Sequence, residues 1–508
     1  MNIFLEELMR IRQFMLFIGI FTMLFCSCET SQEGGGSSSA ITSPSNVPPR
    51  KFWAMNLVTE KYYQIDAELL AESANCRVWV EKGSGVSAET ASSMANAYEN
   101  DILPKMLSTF ARIGPISDGE KIIANNTMQL ADWLGDGDGK LCILLLDIVD
   151  GYKQGVNDSY CAGYFWAGNL FEKTDTRDPS FKYSNESDMI YIDTYPGRPG
   201  SRESNATFAH EMQHMMSYAN TRMTKRSPYP LDIWIDEGLS LAAEWVYYGS
   251  HSVSRVNWYN QDPSGLIKKG NNFFVWDNRG SENQYAVLDD YATAYLFFQW
   301  LRLQAGSSDI YYNLTLSDEY YDYRAVTNAA NRAIPGQGYN NWGTLLKTWH
   351  AANYINAPSG PYGYKDDATL KNIRAKTAPA GVMTLPLAPG EGVYSITNGS
   401  SLPGNTQYIN YAGLNRSGAE MSDTKTFSGG ALLTFNSNSN TGGSTVSGTT
   451  TGVASAVTAN MDIASGDGLF EDWFPGPFAI GAGDILRQNG HEVPLTALNT
   501  NKGIVNIE

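Results

Sequence analysis

Charge and histidine are both scarce in this chain. Of its 508 residues only 18% are charged, and the histidines number five: His210, His214, His251, His350 and His491. What charge there is leans one way, to a formal net of −17. That balance argues against nucleic acid as a partner and against docking on anionic lipid by charge. No internal repeat is found, which sets solenoids and propellers aside. The apolar run "FMLFIGIFTMLF" (14–25) falls short of the about 20 residues that a membrane-spanning helix takes. Cysteine is sparse too. Beyond residue 28 only Cys76, Cys142 and Cys161 remain, an odd set that allows at most one disulfide and leaves one thiol over. Sequence does not choose the pair. Cys142 and Cys161, which flank one strand and loop, are favoured.

What is present fits a folded protein of two or three domains: 42% of residues are hydrophobic and 12% aromatic. The N-terminus reads as a targeting segment. Arg10 and Arg12 precede the apolar run, which ends at "CSC"; Glu6 and Glu7 dilute the positive charge and point to Met9 as the translation start. A signal core ending at cysteine resembles the lipobox of bacterial lipoproteins. Small Ser27 makes Cys28 the preferred lipidation site over Cys26. The resemblance implies a signal peptide at 1–28 and a lipid anchor to a bacterial membrane, at the outer membrane or cell surface; cleavage to a free secreted protein is the alternative. Residues 29–49, containing "EGGGSSSAITSPSNVPP", have the make-up of a flexible tether.

From residue 50 to 385 the pattern is mixed α and β. "NCRVWVEKG" (75–83) and "SDMIYIDTYP" (187–196) predict strands, and the unbroken apolar "KLCILLLDIV" (140–149) predicts a strand buried on both faces. Helices are expected at 87–114, where Ile102, Met106 and Phe110 recur at i+4, and at 204–223, 233–248, 289–306 and 342–355. After 385, short alternating Thr/Ser/Gly-rich pieces such as "VYSITNG" and "TQYINYAGL" lack a helical period. Residues 386–508 therefore read as an all-β accessory domain, and the fold class as α+β.

Two of the five histidines stand in "SNATFAHEMQHMMSYAN" (204–220). On a helix His210 and His214 project from one face, one turn apart, with Glu211 beside them. Two imidazoles so placed can share a zinc ion, and the glutamate can take a proton from water activated there. The other reading is a buried helix whose histidines bond to backbone carbonyls. Context favours the metal. A catalytic zinc needs a third protein ligand, and "DIWIDEGLSLAAEWV" (232–246) supplies Glu237, 23 positions after His214, on a helix that can return to the first. The strand "MIYID", ending just ahead, is expected at a sheet edge where an extended peptide can pair.

The combination resembles the gluzincin metallopeptidases, and within them the hyicolysin-type family of bacterial neutral metallopeptidases. The matching pieces are "HEMQH" (210–214), "WIDEGLS" (234–240), "LCILLLDI" (141–148) with "GYFWAGNLF" (163–171), and "YATAYLFFQWL" (291–301). The resemblance spans about 50–360. It implies a zincin-like catalytic domain, with a small sheet and active-site helices, that hydrolyses protein or peptide substrates. It makes His210, His214 and Glu237 zinc ligands, Glu211 the general base and Tyr291 the oxyanion donor. Tyr285, Tyr295 and His251 are weaker candidates for that last part. Asp236 departs from the family's asparagine and is a possible competing ligand, and Glu244 reads either as a support for the ligands or as structural.

Other signals fall short of a site. "LGDGDGK" (134–140) has Leu134 and Leu145 where a calcium loop needs acids, so a tight turn is preferred. His350 and His491 read as structural or exposed. The rival to an endopeptidase is a catalytically silent surface lipoprotein, an adhesin or binding scaffold on a protease-like fold. A zinc aminopeptidase would need an exopeptidase motif such as G-x-M-E-N, which "YPGRPGSRESN" does not supply. Oligomeric state is not readable.

Overall fold

The computed structural model describes residues 47–449 except 111–138, 158, 177, 225–229, 271–272, 277–285, 316–319, 379–383, 424–425 and 444–445, together with 18–20, 41, 42, 44, 485–488 and 491–494. Cys26, Cys28, most of the tether, Asp136, Asp138 and Tyr285 lie outside the described residues. The chain divides into two compact units, the first made of Met1–Leu231, Ala242–Ser250 and Thr315–Glu319 and the second of the remainder. The fold is α+β, with a mixed sheet, helices, and further sheets towards the C-terminus.

The first unit is built on seven strands: β1 (Ile18–Ile20), β2 (Arg50–Asn56), β3 (Lys61–Glu72), β4 (Cys76–Glu81), β5 (Leu141–Leu146), β6 (Cys161–Phe165) and β7 (Met189–Asp193). Their order is β1-β6-β7-β5-β4-β3-β2. β2, β3 and β4 form an antiparallel meander; β4, β5 and β7 run parallel; β6 lies antiparallel to β7 and to β1. β5 and β7 are buried along their whole length, as their apolar runs require of strands covered on both faces. In β3 burial alternates, with Ile65, Ala67, Leu69 and Ala71 inward, the period-two pattern of a half-covered strand.

Two expectations are corrected here. β7, the "MIYID" strand, is no edge: β5 pairs it on one side and β6 on the other. Nor are Cys142 and Cys161 joined. Cys76, Cys142 and Cys161 are all buried thiols outside any disulfide. β7 separates the strands that carry Cys142 and Cys161, and the two are offset along it, which puts them more than two strand spacings, or about 9.5 Å, apart, beyond the roughly 7 Å reach of a disulfide.

Between β4 and β5 the chain forms α1 (Ala88–Ala97), a π-helical turn (Tyr98–Ile102) and α2 (Leu103–Phe110). Ser87 caps α1 by accepting from the Thr90 N–H at 3.2 Å, and Ile102, Met106 and Phe110 are buried as their spacing requires. After β7 comes α3 (Arg202–Tyr218), which packs on β6 and β7 and runs on into a second π-helical turn at Ala219–Thr224. α4 (Ile233–Tyr248) begins in the second unit and ends in the first.

The second unit continues with α5 (Val253–Gln261), α6 (Ala286–Ala305), α7 (Asp309–Thr315, all but its last residue), α8 (Tyr323–Ala333) and α9 (Trp342–Ile355). Its helical core is aromatic: Phe273, Phe297, Trp300, Trp342 and Trp349 are buried together. The strands that follow are β8 (Thr384–Leu387), β9 (Gly392–Ser401), β10 (Ile409–Asn415), β11 (Glu420–Ser422), β12 (Thr426–Asn436) and β13 (Val446–Thr449). Four of them form an antiparallel sheet in the order β11-β10-β12-β9, and β8 pairs with β13. Leu387, Val393, Ile409, Tyr411 and Leu432 form one core cluster shared by the two sheets. α9 packs on β10 and β12 within the same unit, and the Arg416 Nε donates to the Tyr354 carbonyl at 2.8 Å.

Candidate metal centre

α3 is fixed at its start and along its length. The Ser201 Oγ accepts from the Ser204 N–H at 3.1 Å, and Glu203 in the first turn complements the helix's positive end. Every residue from Ser204 to Tyr218 is buried. A helix enclosed all round gives its polar side chains no water, so each must be matched from within.

On this helix the rings of His210 and His214 lie 4.9 Å apart between centroids at 74°. One ligand atom each from His210, Glu211 and His214 falls within 4.8 Å of the others, and all three residues are buried. Among the described residues no other three His, Cys, Asp or Glu side chains converge in this way. The Nδ1 of His210 lies 3.0 Å from the Glu244 Oε1, with both side chains almost fully buried. A carboxylate can only accept, so in the neutral ring Nδ1 carries the proton and Nε2 is the nitrogen offered to a metal. Glu244, which arrives from the end of α4, therefore orients a ligand. Two buried imidazoles, one with a carboxylate behind it, are a donor set that fits zinc.

The nearby cysteine is not part of that set. The Cys161 thiol donates to the Gly163 carbonyl at 3.2 Å. Burial pushes its pKa far above the ordinary thiol range, and the charges of Glu211, Asp150 and Asp193 push the same way.

In the second unit, the first turns of α4 carry Asp236 and Glu237, both buried. Trp234 anchors this end among Phe273, Phe274, Phe297 and Trp342. Gly238 explains the glycine after the glutamate, because a Cβ there would overlap the Phe298 ring on α6. Glu237 stands two turns ahead of Glu244 on one continuous helix, and so on the same helix face.

Tyr291, near the start of α6, is buried, with Trp276 edge-on to its ring at 4.9 Å. The weaker candidates His251 and Tyr295 are bound to each other. His251 Nδ1 lies 2.8 Å from the Tyr295 hydroxyl, and its Nε2 lies 3.0 Å from Asp367 Oδ2. Burial lowers the His251 pKa, and Asp367 opposes that shift. His350 is a structural histidine: fully buried, it donates from Nε2 to the Gly390 carbonyl at 3.1 Å. Asp367 and Arg255, whose guanidinium lies over the Tyr291 ring, were not marked by any sequence pattern. Their partners are distant in sequence, and no local spacing announces such pairs.

Comparison with known proteins agrees with this chemistry. The family model described as Peptidase M30 matches residues 67–261, which include the histidine helix and α4. The chain is similar to the neutral metalloprotease ShpI of Staphylococcus hyicus, with 25% identity over 384 residues covering 74% of this chain and 78% of that protein. Together these support a hyicolysin-type metallopeptidase.

Proposed function

We propose that this metalloprotease is an extracytoplasmic, zinc-dependent endopeptidase. The observation that carries the proposal is the buried convergence of His210, Glu211 and His214 within 4.8 Å on one helix. The carboxylate of Glu244 on His210 Nδ1 reinforces it. In this reading His210 and His214 hold zinc, and Glu237, on the same α4 face as Glu244, is the third ligand; Asp236 is its buried neighbour. When bound, zinc supplies Lewis acidity, acidifying a water and polarising the scissile carbonyl.

The chain's own residues do the rest. Glu211 takes the proton from the attacking water and passes it to the leaving amine. Burial suits this work, because a proton acceptor kept from bulk water exchanges with the substrate rather than with solvent. Tyr291 donates its hydroxyl to the oxyanion that forms at the carbonyl. Lipidation at Cys28 and a tether through residue 49 would hold the enzyme outside the cytoplasm. Residues 50–385 would be the peptidase domain and 386–508 a β-rich accessory domain.

The test uses residues 29–508 and the same chain with Glu211→Gln, assayed for bound zinc and casein cleavage. Zinc near one per chain in both, with cleavage lost only in the variant, is the expected result. No zinc in either returns the two histidines to core packing, and zinc without cleavage in the parent favours a silent scaffold. For the anchor, the full chain should incorporate labelled fatty acid and lose that label with Cys28→Ser.

A further inference from the structure

Tyr291 has ordered neighbours on two sides. The guanidinium carbon of Arg255 stands 5.1 Å from the centre of its ring, over the face. Trp276 meets the ring edge-on, at 4.9 Å and 85°. Arg255 is 9% exposed and Tyr291 3%, so this pair is largely removed from water. Arg255 projects from α5, which packs along α6. The two helices are pinned one turn away: the Trp258 indole N–H donates to Asp289 Oδ1 at 2.7 Å, and the Ser264 hydroxyl donates to Asp289 Oδ2 at 2.6 Å. Arg255 therefore has a fixed base from which to cover the tyrosine.

Packing alone does not call for arginine at this place. A methionine or leucine would fill much the same volume without burying a charge. A cation over an aromatic face, by contrast, is attracted to the ring's π-density, and more strongly when desolvated. The phenol beneath it becomes a better hydrogen-bond donor, and most of all towards a partner that is gaining negative charge. Such an interaction strengthens between ground state and transition state, which is the requirement for accelerating a chemical step.

We infer that Arg255 is a positioning residue for peptide hydrolysis. It acts through Tyr291, holding the ring and polarising its hydroxyl so that the oxyanion gains more than the substrate carbonyl does. The inference rests on the reading of Tyr291 as oxyanion donor.

The experiment compares residues 29–508 carrying Arg255→Met, Arg255→Lys, Tyr291→Phe, and the Arg255→Met/Tyr291→Phe double change with the parent. Zinc content and thermal midpoint are measured first, then kcat and KM on a fluorogenic peptide. Calorimetry with a phosphonamidate peptide, a tetrahedral anion, gives a readout apart from turnover. Arg255→Met should lower kcat roughly three- to thirty-fold and weaken phosphonamidate binding by a similar factor, with KM and zinc unchanged. Arg255→Lys, which keeps a cation, should recover most of the loss, and Arg255→Met should cost nothing further once Tyr291 is phenylalanine. A loss that persists in the Tyr291→Phe background, or that appears only in KM, overturns the inference, as does failure of lysine to rescue. If Tyr291→Phe alone retains parental kcat, the reading of Tyr291 itself fails, and the inference with it. Should Arg255→Met not fold, the cycle run with Arg255→Lys decides the same question: any change it makes must vanish in the phenylalanine background.

Discussion

Glu244 holds the Nδ1 of His210 at 3.0 Å from a carboxylate oxygen, and neither side chain is more than marginally exposed. The carboxylate sets the tautomer and aims Nε2. Partners of this kind typically contribute 10- to 100-fold to metal affinity. Glu244→Gln keeps an acceptor but removes the charge, and its amide can turn a donor towards the ring. It should weaken zinc binding by roughly tenfold, and Glu244→Ala should weaken it more. Competition with a chromogenic chelator measures this directly. Affinity equal to the parent in both variants would make Glu244 a packing residue.

Gly238 predicts a steric effect. A methyl group there would overlap the Phe298 ring, and both the α4 backbone and the aromatic cluster around Trp234 resist moving aside. Gly238→Ala should lower stability by about 1–3 kcal/mol, although alanine is the better helix former. Adding Phe298→Leu should restore part of the loss by making room. Urea denaturation of the single and double variants checks both statements. A Gly238→Ala chain as stable as the parent would show that the contact is slack.

Much of this arrangement was legible in the sequence because it is local. The i, i+4 spacing of His210 and His214 put both on one helix face, and α4 runs from Ile233 to Tyr248 as its pattern indicated. β5 is buried on both faces, as its unbroken apolar run implied. Sheet order was not legible. "MIYID" looks the same whether it lies at an edge or between two neighbours, and only its pairing with β5 and β6 decides. Arg255 over Tyr291 and Asp367 on His251 were hidden for a related reason: each joins segments 36 or more positions apart.

The placement of β7 between β5 and β6 has a chemical consequence. With Cys142 and Cys161 held apart, residues 29–508 should carry three thiols and no disulfide. For residues 29–508, Ellman's reagent should find about three thiols in guanidinium and close to none in the native protein, where all three are buried. Added reductant should leave the thermal midpoint where it was. A single thiol in guanidinium would mean that two had paired after all.

His350 makes stability fall as the solution is acidified. It is fully buried, donates from Nε2 to the Gly390 carbonyl, and has the Tyr394 hydroxyl 3.4 Å from Nδ1. Burial pushes its pKa down to about 4 from the usual 6.5. The unfolded chain therefore takes up a proton at this residue at a higher pH than the folded chain does. Its contribution is fully present above about pH 6.5 and is lost as pH falls towards 4, at about 1.4 kcal/mol per pH unit. His350→Gln keeps a donor near the Gly390 carbonyl but does not titrate. It should be less stable than the parent at pH 7, because glutamine fills the ring's place poorly against Gly392. That gap should narrow by about 2–3 kcal/mol between pH 7 and pH 4.5, read from urea denaturation at the two pH values. A gap that stays constant would mean that His350 titrates alike in the folded and unfolded chains, and that its burial leaves no mark on acid stability.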